Sequence, residues 1–168
     1  MMENLIESRE EMEAILRETS FGFLGMAMGE EPYVVPLNYA YTGGKILFHC
    51  ALEGKKLEYL ASNPRVCFSV ARQVGAVQRH DQGDPCHMNS ESVVCYGTAR
   101  VIDDPEERMT ALNAFNHYFR PDAEGLSAER VAGCAAVEIA VAEMTGRRER
   151  DRKVTCWQWR FQEELPTL

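Results

Sequence analysis

A chain of 168 residues and 19.0 kDa has ordinary single-domain size and can bury a sizeable core. Its 18 Lys and Arg stand against 26 Asp and Glu, a net charge of −8, which argues against a broad nucleic-acid interface while leaving room for a local basic pocket. The acidic, amphipathic N-terminus is not a basic-then-apolar signal, and no apolar run approaches the roughly 20 residues that span a bilayer, so a cytoplasmic chain with no membrane partner is expected.

In chain order, residues 9–18 form a helix with Met12, Ile15 and Leu16 on one face, and residues 20–28 form a strand through Phe21, Phe23, Leu24 and Met26. From Tyr33 the residues alternate. Tyr33, Val35, Leu37, Tyr39 and Tyr41 share one face of an extended run, and Val34, Pro36, Asn38 and Ala40 share the other. Gly43 and Gly44 supply a tight turn, after which Ile46, Phe48 and Cys50 oppose Leu47, His49 and Ala51 in a returning strand. A two-stranded ribbon is the expectation. Pro36 cannot donate to a ladder, so this part of the ribbon should be an edge or a bulge, with Asn38 and His49 able to face a ligand.

Gly54 then leads into a helix over residues 55–61, ended by Asn63 and Pro64. Two lysines, Lys55 and Lys56, occupy its first turn, where the helix dipole disfavours cations by about 0.3–1 kcal/mol each. Either they form a solvated pair beside Glu53 and Glu58, or an anion such as a phosphate binds them together with the free backbone amides. A strand over residues 65–71, with 74–79 as an extension, is followed by a Gly/Pro loop holding His80, Asp81, Asp84, Cys86 and His87. That loop lacks the paired spacings of zinc sites and reads as a polar surface loop or lid, so no metal is expected.

Residues 92–102 form another strand. Asp104 then reads as an N-cap, with Pro105 in the first helical position and Glu107 completing a capping box, for a helix running to Phe119. Its Met109, Leu112, Phe115 and Phe119 have the spacing of packing residues. A short helix at residues 127–132 precedes a last strand at 134–145, closed by Gly146, and Trp157 and Trp159 share one side of an extended tail. Six cysteines with no CxxC pair read as reduced core residues. The strands do not alternate with helices as a doubly wound sheet requires, so the expected fold is mainly β, an antiparallel barrel with flanking helices.

The combination of VVPLNYAY, a Gly-Gly turn, FHCALEGKK, NPRVCFSV and SVVCYGTARV resembles the flavin-binding split β-barrel family, and within it the pyridoxamine 5'-phosphate oxidase-like nitroimidazole resistance proteins. The resemblance covers residues 5–146. It implies one split-barrel domain over residues 1–168, with the helix at 9–18 and a tail at 147–168, assembled as a homodimer with FMN at the subunit interface. On that mapping Lys55 and Lys56 meet the phosphate, and the ring lies along Pro36, Leu37, Asn38 and Tyr39 with His49, Cys50 and Ala51. Ser90, Glu91 and Ser92 match a segment that faces the site from the other subunit, and His49 matches a histidine near flavin or substrate, the candidate catalytic residue. The arginine-rich substrate motifs of true pyridoxamine phosphate oxidases are not evident, so vitamin B6 oxidation does not carry over. The expected function is an FMN-dependent oxidoreductase acting on a small flat electron-poor substrate such as a nitroaromatic or quinone. Its rival is a non-catalytic flavin or haem binder.

Overall fold

The computed structural model describes residues 6–75 and 89–150, and the backbone course of residues 153–160. In chain order the elements are α1 (Arg9–Glu18), β1 (Phe21–Met28), β2 (Glu31–Asn38), β3 (Ala40–Thr42), β4 (Lys45–Cys50) and α2 (Lys55–Ser62). They continue with β5 (Arg65–Gln73), β6 (Ser90–Val101), α3 (Pro105–Phe119), α4 (Ala128–Ala132), β7 (Ala135–Arg150) and β8 (Lys153–Arg160). All described strand pairs are antiparallel, in the spatial order β2-β1-β5-β6-β7-β4-β3, with β8 added to β7.

The ends of that order determine the shape. β2 and β3 lie at opposite ends of the sheet, yet only Tyr39 separates them in the chain. A sheet whose two edges are joined by one residue has to curl until they meet, and it closes through the covalent chain rather than through a ladder between β2 and β3. This is a split β-barrel, as expected. Tyr39 is fully buried at the joint, its ring 4.7 Å from Phe68 between centroids and its hydroxyl donating to the Leu16 carbonyl at 2.7 Å. Burial pushes that phenol far above its ordinary range.

The inward faces of the strands form the main core with α1, through Leu24, Phe48, Phe68, Val93 and Ile139 against Met12, Ile15 and Leu16. A smaller core lies outside β4, where Leu47 and Ala136 cluster with Ile102, which follows β6, and with Leu112 and Val131 of the α3–α4 arm. The β6–β7 register shifts between Tyr96 and Gly97, where a side chain on Gly97 would collide with the Ala140 carbonyl.

Four expectations need correction. The Tyr33–Ala51 ribbon exists only where Ala40, Tyr41 and Thr42 pair with Leu47, Ile46 and Lys45, while β2 pairs with β1 and β4 with β7. Side-chain alternation sets the faces of a strand and does not choose its neighbour. Gly146 does not end the last strand. It pairs with Val93 in mid-ladder because α1 lies directly over it, and a Cβ there would sit 2.8 Å from Met12 Cγ. The Asp104 cap is present, its carboxylate accepting from the Glu106 and Glu107 amides, but Glu107 bonds Arg100 instead of closing the box. Cys67 is half-buried on the outer face of β5, not in the core. The loop from His80 to His87 lies outside the described residues, and among the described residues no cluster has the makings of a metal site.

Candidate functional site

The start of α2 is built to leave polar groups open. Gly54, at φ 126° and ψ 170°, is the N-cap and offers no side chain to the helix. The first intrahelical bonds run from the Leu57 and Glu58 amides to the Gly54 carbonyl, so the amides of Lys55 and Lys56 lie outside the ladder. Neither lysine has a carboxylate partner among the described residues. Their ammonium groups rest on aromatic faces instead, Lys55 at 4.6 Å from the Tyr33 ring centre and 5.3 Å from that of Tyr59, Lys56 at 5.4 Å from that of Phe48. Two cations and two open amides at one helix end are the donor set of an anion site. The sequence reading of Lys55 and Lys56 left a solvated pair beside Glu53 and Glu58 or an anion site, and in the structure neither lysine is ion-paired with either glutamate.

The neighbouring strand ends divide the other expected site residues by face. Pro36 and Asn38 are exposed on the outer face of β2, a terminal strand, and the Asn38 amide donates to the Ser20 carbonyl at 3.1 Å. Leu37 and Tyr39 point into the core, so only their backbones reach a ligand outside the barrel. Cys50, at the end of β4, is half-buried; burial raises its pKa, with Lys56 opposing and Cys134 reinforcing that shift, and the thiol stays protonated. Ala51 is exposed just beyond it.

His49 takes the opposite face of β4. Its ring meets Phe115 of α3 edge-on, with centroids 4.9 Å apart, and lines a cavity of about 410 Å³ between β4 and the α3–α4 arm. Sequence reasoning assigned Phe115 and Leu112 to packing alone, and Leu112 does belong to the smaller core. Their part in a cavity wall depends on a contact between residues 66 positions apart, which helical spacing does not reveal.

Ser90 and Ser92 lie half-buried on the outer face of β6, whereas Glu91 between them turns inward. The Glu91 carboxylate is 3 % exposed and is held by Arg72 at 2.7 Å and Arg148 at 2.8 Å, which in turn bind Glu18 and Glu11 of α1. Burial alone raises its pKa, but the two guanidinium groups outweigh that and hold it below the usual carboxylate range. The Glu91 side chain therefore fastens α1 to the sheet, and only its backbone is available to a site on the other face.

The sequence profile of the pyridoxamine 5'-phosphate oxidase family matches residues 8–148, from α1 to the end of the central ladder. The chain belongs to this family. A candidate 5-nitroimidazole antibiotic resistance protein from Bacteroides thetaiotaomicron is 29 % identical, with a TM-score of 0.73 over 84 % of each chain. An FAD- and haem-binding protein from Mycobacterium smegmatis shares the fold at 17 % identity, with a TM-score of 0.77 over 99 % of this chain and 89 % of that one. Among curated proteins, an uncharacterized protein of Rhizobium meliloti is 30 % identical over 66 residues, 39 % of this chain and 43 % of the relative. The match thus spans less than half the length of that curated relative. In this family member no described helix is long and apolar enough to cross a membrane.

Proposed function

We propose that this protein binds FMN, with the phosphate at the start of α2, and uses it as an oxidoreductase toward a small flat electron-poor substrate such as a nitroaromatic or a quinone. The observation that carries the reading is the pair Lys55 and Lys56, without carboxylate partners at an uncapped helix start in a chain of net charge −8. Family membership and the flavin-binding relative of the same fold support it. Bound there, the flavin supplies the electron-transfer chemistry. The chain supplies the phosphate anchor, the backbone edge of β2 near Pro36 and Asn38, and the imidazole of His49 as the candidate catalytic group.

A homodimer is part of the same reading. The outer face of β1, β2 and β6 carries Phe21, Phe23, Val34 and Tyr96, each about half exposed, with Pro36, Ser90 and Ser92 on the same face. An apolar sheet face of this kind suits a second copy, which brings its Ser90 and Ser92 toward the flavin site.

The visible spectrum of the purified protein is the first test. Paired flavin bands, together with anaerobic reoxidation of the reduced protein by nitroaromatics or quinones, support the oxidoreductase. Flavin or Soret bands with no acceleration by any acceptor favour a non-catalytic flavin or haem carrier, the reading suggested by the haem-binding relative. Failure of added FMN to bind or to raise the melting temperature removes both flavin readings.

A further inference from the structure

The cavity beside His49 has a composition of its own. Leu112 is buried at its base, Phe115 and Leu126 form half-buried walls, and Arg130 of α4 stands exposed at the rim. Its volume of about 410 Å³ falls in the range of small-molecule pockets. Side-chain bonds hold the loop that forms one wall: the Leu126 amide donates to the Asn113 side-chain oxygen at 2.7 Å, and the His117 ring bonds the Ala123 carbonyl at 2.8 Å. The pocket is therefore shaped by local bonds before any ligand arrives.

Arg130 has no carboxylate partner among the described residues, although the chain is acidic and Glu129 adjoins it in sequence. Among the described residues Arg9, Arg17, Arg72, Arg100, Arg147 and Arg148 are ion-paired, whereas Arg130 stands at the mouth of a cavity without a carboxylate. An unpaired planar donor above an apolar slot with an aromatic wall fits a ligand that is flat and apolar at one end and a planar anion at the other.

We propose that this cavity is a binding site for small aromatic carboxylates, the ring lying between Phe115, Leu112 and Leu126 and the carboxylate meeting Arg130. The cavity takes in His49, so it adjoins the site of the proposed function, while the carboxylate anchor Arg130 is distinct from the lysine pair on α2.

The test titrates the full chain, with no flavin added, with benzoate and with its neutral isostere benzamide, followed by calorimetry or ligand-observed NMR. Because no flavin is present, a negative result here is distinct from a failure to bind FMN. Saturable one-to-one binding of benzoate, about tenfold or more tighter than benzamide, is expected. Arg130→Gln, an exposed change that spares the core, should bring benzoate down to the benzamide level. Leu126→Trp, which fills the slot, should abolish binding of both while leaving the melting temperature close to that of the parent. Absence of saturable benzoate binding, or benzoate affinity unchanged in the Arg130→Gln protein, overturns the proposal.

Discussion

Two groups of cations in this molecule are arranged in opposite ways. At Glu91, two arginines share one buried carboxylate and reach two more on α1, so their charge is consumed inside the fold. At the start of α2, two lysines have aromatic rings for neighbours and no carboxylate among the described residues. The first arrangement is complete in the free protein and serves stability. The second leaves two positive charges without a described carboxylate, and in the proposed function that charge serves binding. The contrast separates a structural network from a site without reference to any relative, and mutations can test it by acting on one quantity and sparing the other.

The largest effect is expected at the lysines. Replacing Lys55 and Lys56 together by alanine removes two charge-assisted contacts to phosphate, a loss of about 3 kcal/mol or roughly 100-fold in FMN affinity. The melting temperature of the flavin-free protein should hardly move. A large drop in that temperature would mean that the lysines belong to the fold after all.

Glu91→Gln should do the reverse. Leaving two partly buried guanidinium groups short of their shared carboxylate costs about 2 kcal/mol in chemical denaturation, with FMN affinity unchanged. Its pH dependence has a definite sign. The pKa of Glu91 is lowered below its reference value of 4.5 in the folded protein, so its contribution is fully present above that value and lost as pH falls through the depressed pKa. The stability gap between parent and variant should be constant near neutrality and close in acid below the ordinary carboxylate range.

Gly54→Ala probes the link between the helix start and its ligand. A side chain at Gly54 would meet no atom within 4 Å, so its cost, about 1–2 kcal/mol, comes only from a backbone conformation at φ 126° that other residues avoid. FMN affinity should fall along with stability, because relieving that strain displaces the first amides of α2. The smallest effect is expected at Lys45, an exposed cation that already pairs with Glu138 at 3.1 Å. Lys45→Ala should cost about 0.5 kcal/mol and leave flavin binding intact.

Much of this arrangement was legible in the sequence, for reasons that differ by residue. The alternation from Tyr33 to Asn38, the Gly43–Gly44 turn with φ of 57° and 78°, and the Asp104 cap are local signals, and each has its expected form. The lysine pair was visible because the helix dipole makes cations at an N-terminus unfavourable without a ligand. Neighbour choice was not visible: nothing in β2 says that it pairs with β1 rather than with β4, since both partners accept the same inward face. Glu91 entered the expected site through the family resemblance of the Ser90–Ser92 segment, which carries no information on which way its side chain points. Only the approach of Arg72 and Arg148 from the neighbouring strands shows that it faces inward. The pairing of His49 with Phe115, and the cavity that follows from it, arises from docking α3 against the outer face of β4, a contact with no local signature.

The most direct test of the central claim compares the affinities of FMN and riboflavin for the unmodified protein, measured by quenching of flavin fluorescence at low ionic strength. The two ligands share the ring and the ribityl chain and differ only in the phosphate. If the start of α2 is the phosphate anchor, FMN binds about 100-fold tighter than riboflavin and the advantage shrinks as salt is added. Equal affinities for the two, at any salt concentration, would contradict it.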